Sequence, residues 1–255
     1  MKNWAPRTHI TTINPSTHMV TGLGSNWTVL QDGEAFTLVD CGYPGDLPNV
    51  IGALEYLNLR PEAAAAILVT HGHSDHIGTA RVLSDLYGMP IMAAEQEIPN
   101  LDGTFRSQLT LNRALLQCWN PLFARWLFHA VKRADGLKDV TVLSAQPIST
   151  GEALDLPGQP IPIPTPGHTP GHNSYFLQES GALLSGDALV SGHPIVHRKG
   201  PQMLPSFFHQ SPREAIESLS ELVSYEFGTL LPGHGPAAAI TQERVRAVRN
   251  EWRRR

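Results

Sequence analysis

The chain has 255 residues, of which 41% are hydrophobic and 16% charged, a globular balance that excludes a disordered or coiled-coil protein and allows a substantial core. Its formal net charge of −4 argues against a protein that works by neutralising nucleic-acid phosphates, so no nucleic-acid partner is expected. No stretch approaches the ~20 continuous apolar residues of a bilayer span, residues 1–19 lack the apolar run of a secretion signal, and two cysteines, Cys41 and Cys118, make no disulfide framework; a cytoplasmic protein is expected.

The first elements read as short strands, Met19–Thr21, Trp27–Leu30 and Ala35–Val39, rich in β-branched and aromatic residues and broken at Gly22, Gly24 and Asp32-Gly33. Asp46 is positioned to cap a helix through Val50, Leu54 and Leu57. Ala66–Thr70 is a continuous apolar run of the kind found in a strand covered on both faces. A helix over Thr79–Tyr87 and a strand at Pro90–Ala93 follow. Residues ~95–135 read as helical throughout, split at Asn120-Pro121, where Asn caps and Pro opens the second helix. Such an insertion packs on the core, covers a pocket, forms a dimer contact or touches a membrane surface. The second half places strands at Ser174–Leu177, Ala182–Ser185 and Thr229–Leu231, and helices from Ser211-Pro212 and Thr241. Strands and helices alternate, so the class is α/β, and residues 1–255 are read as one domain.

Twelve histidines are present, and the densest group is His71-x-His73-x-Asp75-His76. Four specified positions recur by chance in only about one chain in 10³ of this composition. Imidazole nitrogen and carboxylate oxygen are the donors a catalytic divalent ion takes. His71 and His73 alternate at a strand end, and Asp75 and His76 follow after the chain turns, so the cluster can face two positions. His168, Asp187 and His234 each sit in a Gly-bearing loop beside a strand, where open α/β sheets bind ligands. His193, His197 and His209 read as loop residues, of which His193 and His197 are possible substrate contacts; His9, His18 and His129 read as surface or packing.

The order His-x-His-x-Asp-His, Gly-His-Thr-Pro-Gly-His, Ser-Gly-Asp and Gly-His, preceded by Leu38-Val39-Asp40-Cys41-Gly42, resembles the metallo-β-lactamase-fold hydrolases over Asn26 to His234, in their glyoxalase II-like and lactonase-like branch. The resemblance implies a four-layer αβ/βα sandwich with two metal ions at one edge. It implies that His71, His73 and His168 hold one ion, Asp75, His76 and His234 the other, and that Asp187 bridges both. Asp75 and Asp187 are then the catalytic carboxylates, with Asp40 and His172 supporting the ligands from behind. Two Zn²⁺ are expected; Mn, Fe or Co suit the same donors. The implied reaction is hydrolysis of a carboxylic ester, lactone or thioester of a small molecule by a metal-bridging hydroxide. A phosphodiesterase or a β-lactamase-type amide hydrolase is the alternative, and a homodimer is possible. Only about twenty residues follow His234, so a glutathione-binding helical domain is not expected. No Tyr follows Asp187 before Tyr225, unlike the quorum-signal lactonases.

Overall fold

The computed structural model describes residues 9–107, 114–134 and 140–254. The first half builds a seven-stranded sheet whose strands lie side by side in chain order: β1 (His9–Asn14), β2 (Thr17–Thr21), β3 (Asn26–Asp32), β4 (Ala35–Val39), β5 (Ala64–Leu68), β6 (Ile91–Ala94) and β7 (Gln146–Ile148). The second half builds a five-stranded sheet in the order β12-β11-β10-β9-β8, from β8 (Ile161–Pro164), β9 (Asn173–Leu177), β10 (Ala182–Gly186), β11 (Thr229–Pro232) and β12 (Ala238–Ala239).

Alternation along the strands assigns each sheet two apolar faces. Val20, Val29, Phe36, Leu38 and Ile67 pack under α1 (Leu47–Tyr56) and α2 (Ala80–Tyr87) with Val50, Leu54 and Leu83. Their neighbours Met19, Leu30, Val39 and Leu68 point the other way and meet Tyr175, Leu177, Leu184 and Leu231 of the second sheet. On that sheet's far side, Phe176, Leu183 and Leu230 join Leu219, Leu222, Val245 and Val248 of α5 (Pro212–Leu222) and α6 (Gln242–Arg253). The layers run helix, sheet, sheet, helix, the αβ/βα sandwich expected from the sequence. Each cluster carries side chains whose truncation to Ala typically costs about 2–5 kcal/mol.

Several local expectations change. Asp46 precedes α1 without a side-chain cap bond; its carboxylate instead accepts from the Leu23 and Tyr43 backbone N–H groups and from Asn49. Residues 95–107 are not one helix. A 3-10 turn (Glu95–Glu97) leads into the single turn α3 (Ile98–Leu101), which ends before Gly103 at a φ of 82°, a value that favours glycine. The rest of that reading up to 113, and residue 135, lie outside the described residues. Asn120 does cap α4 (Pro121–Arg133), its side chain accepting the Leu122 N–H. Sequence reasoning passed over β8, whose Ile-Pro-Ile-Pro pattern suits only an edge strand, and that is where it lies. Among the described residues no helix is long and apolar enough to cross a membrane.

The two sheets are stitched at one edge. The Asn173 N–H donates to Thr70 O at 2.9 Å, and the Asn26 N–H to Gly233 O at 2.8 Å. The Tyr175 hydroxyl donates to Val69 O at 2.8 Å. Strands β4 and β5 run parallel, as do β10 and β11, so the loops after their C-terminal ends open onto this seam.

Candidate metal centre

All seven side chains singled out as metal ligands converge at the seam. The loop after β5 supplies His71, His73, Asp75 and His76, the loop after β8 supplies His168, β10 is followed by Asp187, and β11 by His234. Donor atoms of His71, His73 and His168 lie within 4.8 Å of one another, as do those of Asp75, His76 and His234. Asp187 reaches both groups: one oxygen is 3.4 Å from His168 Nε2 and 3.3 Å from His234 Nε2, and the other is 3.5 Å from His76 Nε2. Glycine permits this crowding, because a Cβ on Gly233 would fall 2.5 Å from Asp187 Oδ1. Gly167 lies at a φ of 118° with its Cα against the Ala215 backbone of α5.

Each imidazole has one nitrogen tied back and the other aimed inward, and the ties assign the tautomers. Asp40, itself at a φ of 62°, accepts from the Thr70 N–H, the Thr70 hydroxyl and His76 Nδ1 at 2.7–2.8 Å. The Thr70 hydroxyl oxygen then accepts from His71 Nδ1 at 3.0 Å, so one carboxylate orients a ligand of each group. His234 Nδ1 donates to Gly24 O at 2.8 Å. His73 differs: its Nε2 faces the Ser107 hydroxyl at 3.3 Å, and its Nδ1 lies 3.1 Å from His71 Nε2 and 3.0 Å from His168 Nε2. His172 Nε2 accepts the Asp187 backbone N–H at 3.0 Å, and its Nδ1 donates to Thr165 Oγ1 at 2.8 Å, so it holds the Asp187 backbone from behind.

The residues present fit divalent ions. Within the described residues, His76 Nε2 and Asp187 Oδ1 are buried without any hydrogen-bond partner, an expensive arrangement unless a cation takes up the lone pairs. Burial and neighbouring imidazoles keep His71 far below its ordinary pKa; burial does the same for His168 and sets His73 at about 4. Three neutral nitrogen donors therefore face one point. The second group is charged. Burial would lower His76, but Asp40, Asp75 and Asp187 raise it to about 9, and Asp187 and Asp75 likewise hold His234 well above its usual value against burial. Burial would raise Asp75, yet His76 and His234 bring it down to about 2.

The loop histidines separate. His197 is exposed and is not among the side chains lining the cavity above the centre. His193, expected on an exposed loop, is buried and lines that cavity, its ring 5.0 Å from that of His234 and 5.3 Å from that of Trp126. His209 is also buried; its Nε2 donates to Leu204 O at 3.1 Å and its Nδ1 faces His168 Nδ1 at 3.4 Å. It orients the candidate ligand His168, and His209→Ala is expected to lower metal affinity about 10–100-fold while leaving the Asp75, His76 and His234 group intact, as competitive chelator titration would show.

Sequence reasoning missed Glu97 entirely. Fully buried, it accepts from the Gly72 N–H and Asn100 Nδ2 on one oxygen, both at 2.7 Å. Its other oxygen accepts from the Thr169 hydroxyl at 2.7 Å and the Gly171 N–H at 2.8 Å. It thereby clamps the loop carrying His71 and His73 to the loop carrying His168. No local signal marks it, since Glu95-Gln96-Glu97 reads as a solvated helix start.

Above the centre lies a cavity open to solvent on one side. His73, Asp75, His168, Asp187 and His234 form its floor, and Tyr43, Trp126, Leu127, Val131, Leu204 and Phe208 its walls. The inner face of α4 is thus a wall of the site, one of the roles open to it from sequence.

Comparison with known proteins is consistent along the chain. The family model of the metallo-beta-lactamase superfamily matches residues 20–234. A probable metallo-hydrolase of Bacillus subtilis, YflN, is 26% identical over 210 residues, covering 79% of this chain and 75% of that protein. A hydroxyacylglutathione hydrolase of Dechloromonas aromatica is 31% identical over 164 residues, 64% of this chain and 43% of its own length. Among solved structures, the metallo-beta-lactamase SMB-1 in complex with mercaptoacetic acid superposes with a TM-score of 0.68 at 17% identity, covering 100% of this chain and 96% of that one.

Proposed function

Because the chain belongs to the metallo-beta-lactamase superfamily of metal-dependent hydrolases, we propose that it uses two zinc ions to cleave an uncharged carboxylic ester, lactone or thioester with an apolar acyl group. His71, His73 and His168 would hold one ion, Asp75, His76 and His234 the other, with Asp187 shared. Such ions supply Lewis acidity, lowering the pKa of a water and drawing electrons from a carbonyl oxygen.

One observation carries the substrate class: among the described residues, no Lys or Arg lines the cavity. A phosphodiester or the carboxylate of a β-lactam would meet no Lys or Arg among the described lining residues, whereas a neutral acyl group finds Trp126, Leu127, Val131 and Phe208 and buries apolar surface at ~25 cal/mol per Å². Asp75 stays ionised at neutral pH and accepts a proton from the attacking water. Burial, then the nearby Asp75 carboxylate, raises the Tyr43 phenol well above its ordinary pKa, so it keeps its proton and donates a hydrogen bond to the substrate carbonyl. Tyr43→Phe is expected to lower kcat/KM about 10²-fold with metal content unchanged.

The test is a panel of aryl ester, γ-lactone, thioester and bis-aryl phosphate, with and without chelator. Neutral acyl substrates should be turned over, better with longer acyl chains, and chelation should abolish it. Preference for the phosphate would reverse the assignment.

A further inference from the structure

We propose that the outer face of α4 and the turn preceding it form a docking surface for an anionic phospholipid bilayer. The described residues include ten exposed large hydrophobic side chains, and five of them, Leu115, Leu116, Trp119, Leu122 and Phe128, fall within fourteen residues of chain. Trp119 is 81% exposed, Leu116 73% and Phe128 69%. Single exposed apolar residues need no explanation, but a concentrated group of this size does.

Helical spacing separates the two faces of α4. Phe123, Trp126, Leu127 and Val131 fall on the arc turned to the core and cavity. Leu122, Arg125, Phe128, His129 and Lys132 fall on the opposite arc, and all five are exposed. Leu, Trp and Phe interleaved with Arg and Lys is the composition of a helix lying in the plane of a membrane interface.

Charge identifies the occupant. Between Asp102 and Asp135 the sequence has five basic residues and no acidic one. The net charge of −4 is therefore +5 in this segment and −9 elsewhere, and Arg125 and Lys132 carry part of that positive charge on the exposed arc of α4. A bilayer bearing anionic headgroups complements this face, while the acidic remainder of the chain keeps the rest of the molecule off the membrane. A two-fold dimer through the same face would bring like charges together. Because the inner arc of α4 lines the cavity, docking would set the site one helix diameter from the lipid. Docking itself does not depend on the reaction proposed above.

The full chain is mixed with sedimentable vesicles of phosphatidylcholine alone or with about 30 mol% phosphatidylglycerol, across a salt series. Binding to the anionic vesicles is expected to be at least tenfold tighter and to weaken with salt. Arg125→Glu with Lys132→Glu, and separately Trp119→Ser with Phe128→Ser, should each lower partitioning about tenfold, with melting temperature and metal content unchanged. Absent binding at low salt, or equal partitioning of wild type and both variants, would overturn the proposal. So would sedimentation velocity showing an oligomer that Trp119→Ser dissociates, since the face would then be covered by a second copy.

Discussion

Asp187→Ala is expected to lower kcat/KM by more than about 10³-fold and to reduce bound metal from two equivalents toward none. Among the described residues, Asp187 is the one carboxylate whose oxygens lie within 3.5 Å of histidines from both candidate ligand groups. Removing it deletes a donor to each ion and the negative charge that offsets them. It also removes a principal source of the raised pKa of His234, so the remaining imidazoles lose the field that organises them. The substitution creates no backbone clash, and the Asp187 N–H keeps His172 as its acceptor, so the fold should survive. Elemental analysis beside a kinetic assay decides the matter: a variant with two equivalents of metal and full turnover would show that Asp187 is not shared between the ions.

Metal-free protein should load its two groups with different pH dependences. His71, His73 and His168 are held neutral well below pH 6 by burial, so an ion entering there displaces no proton from them, and its affinity should be nearly flat from about pH 6 to 9. In the other group the carboxylates keep His76 protonated to about 9 and His234 protonated beyond its usual range. An ion there must expel both protons, so affinity should rise with pH and level off only above about 9. The slope approaches tenfold per pH unit for each proton displaced. Asp75 and Asp187 are ionised throughout and add nothing to the slope. Cobalt titrations followed by visible absorption at pH 6 and pH 8.5 should show one equivalent binding tightly at the lower pH and two at the higher. Identical loading at both values would mean that His76 and His234 are not proton-bearing in the free protein.

The chemistry was more legible in the sequence than its support. His71 to His76, His168, Asp187 and His234 lie in short loops directly after strands, where local pattern and residue type speak together. Asp40 and His172 were legible only through the family resemblance of the motifs that contain them. Burial that depends on distant chain was not. His193 and His209 sit in a segment with little regular structure; Trp126 of α4 and Phe208 pack against His193, and His209 packs against the His168 ring. Glu97 is four hydrogen bonds deep between loops far apart in sequence, and nothing in its neighbours announces that. The over-long first helix expected between about 95 and Asn120 had a different cause. Apolar spacing there is genuine, but Gly103 takes a φ of 82° and the chain leaves the helical ladder after α3.

Because the ligand groups draw on both sheets, any ion seated among them fastens the two halves of the chain together. The nitrogens of His73 and His168, from opposite halves, stand 3.0 Å apart, and an ion gripping both closes a loop of roughly a hundred residues, a constraint comparable in kind to a disulfide between the same points. On the proposed ligand assignment, stripping the metals should loosen the sandwich along its seam before either half melts. Protease sensitivity should accordingly appear first in the connection between β7 and β8.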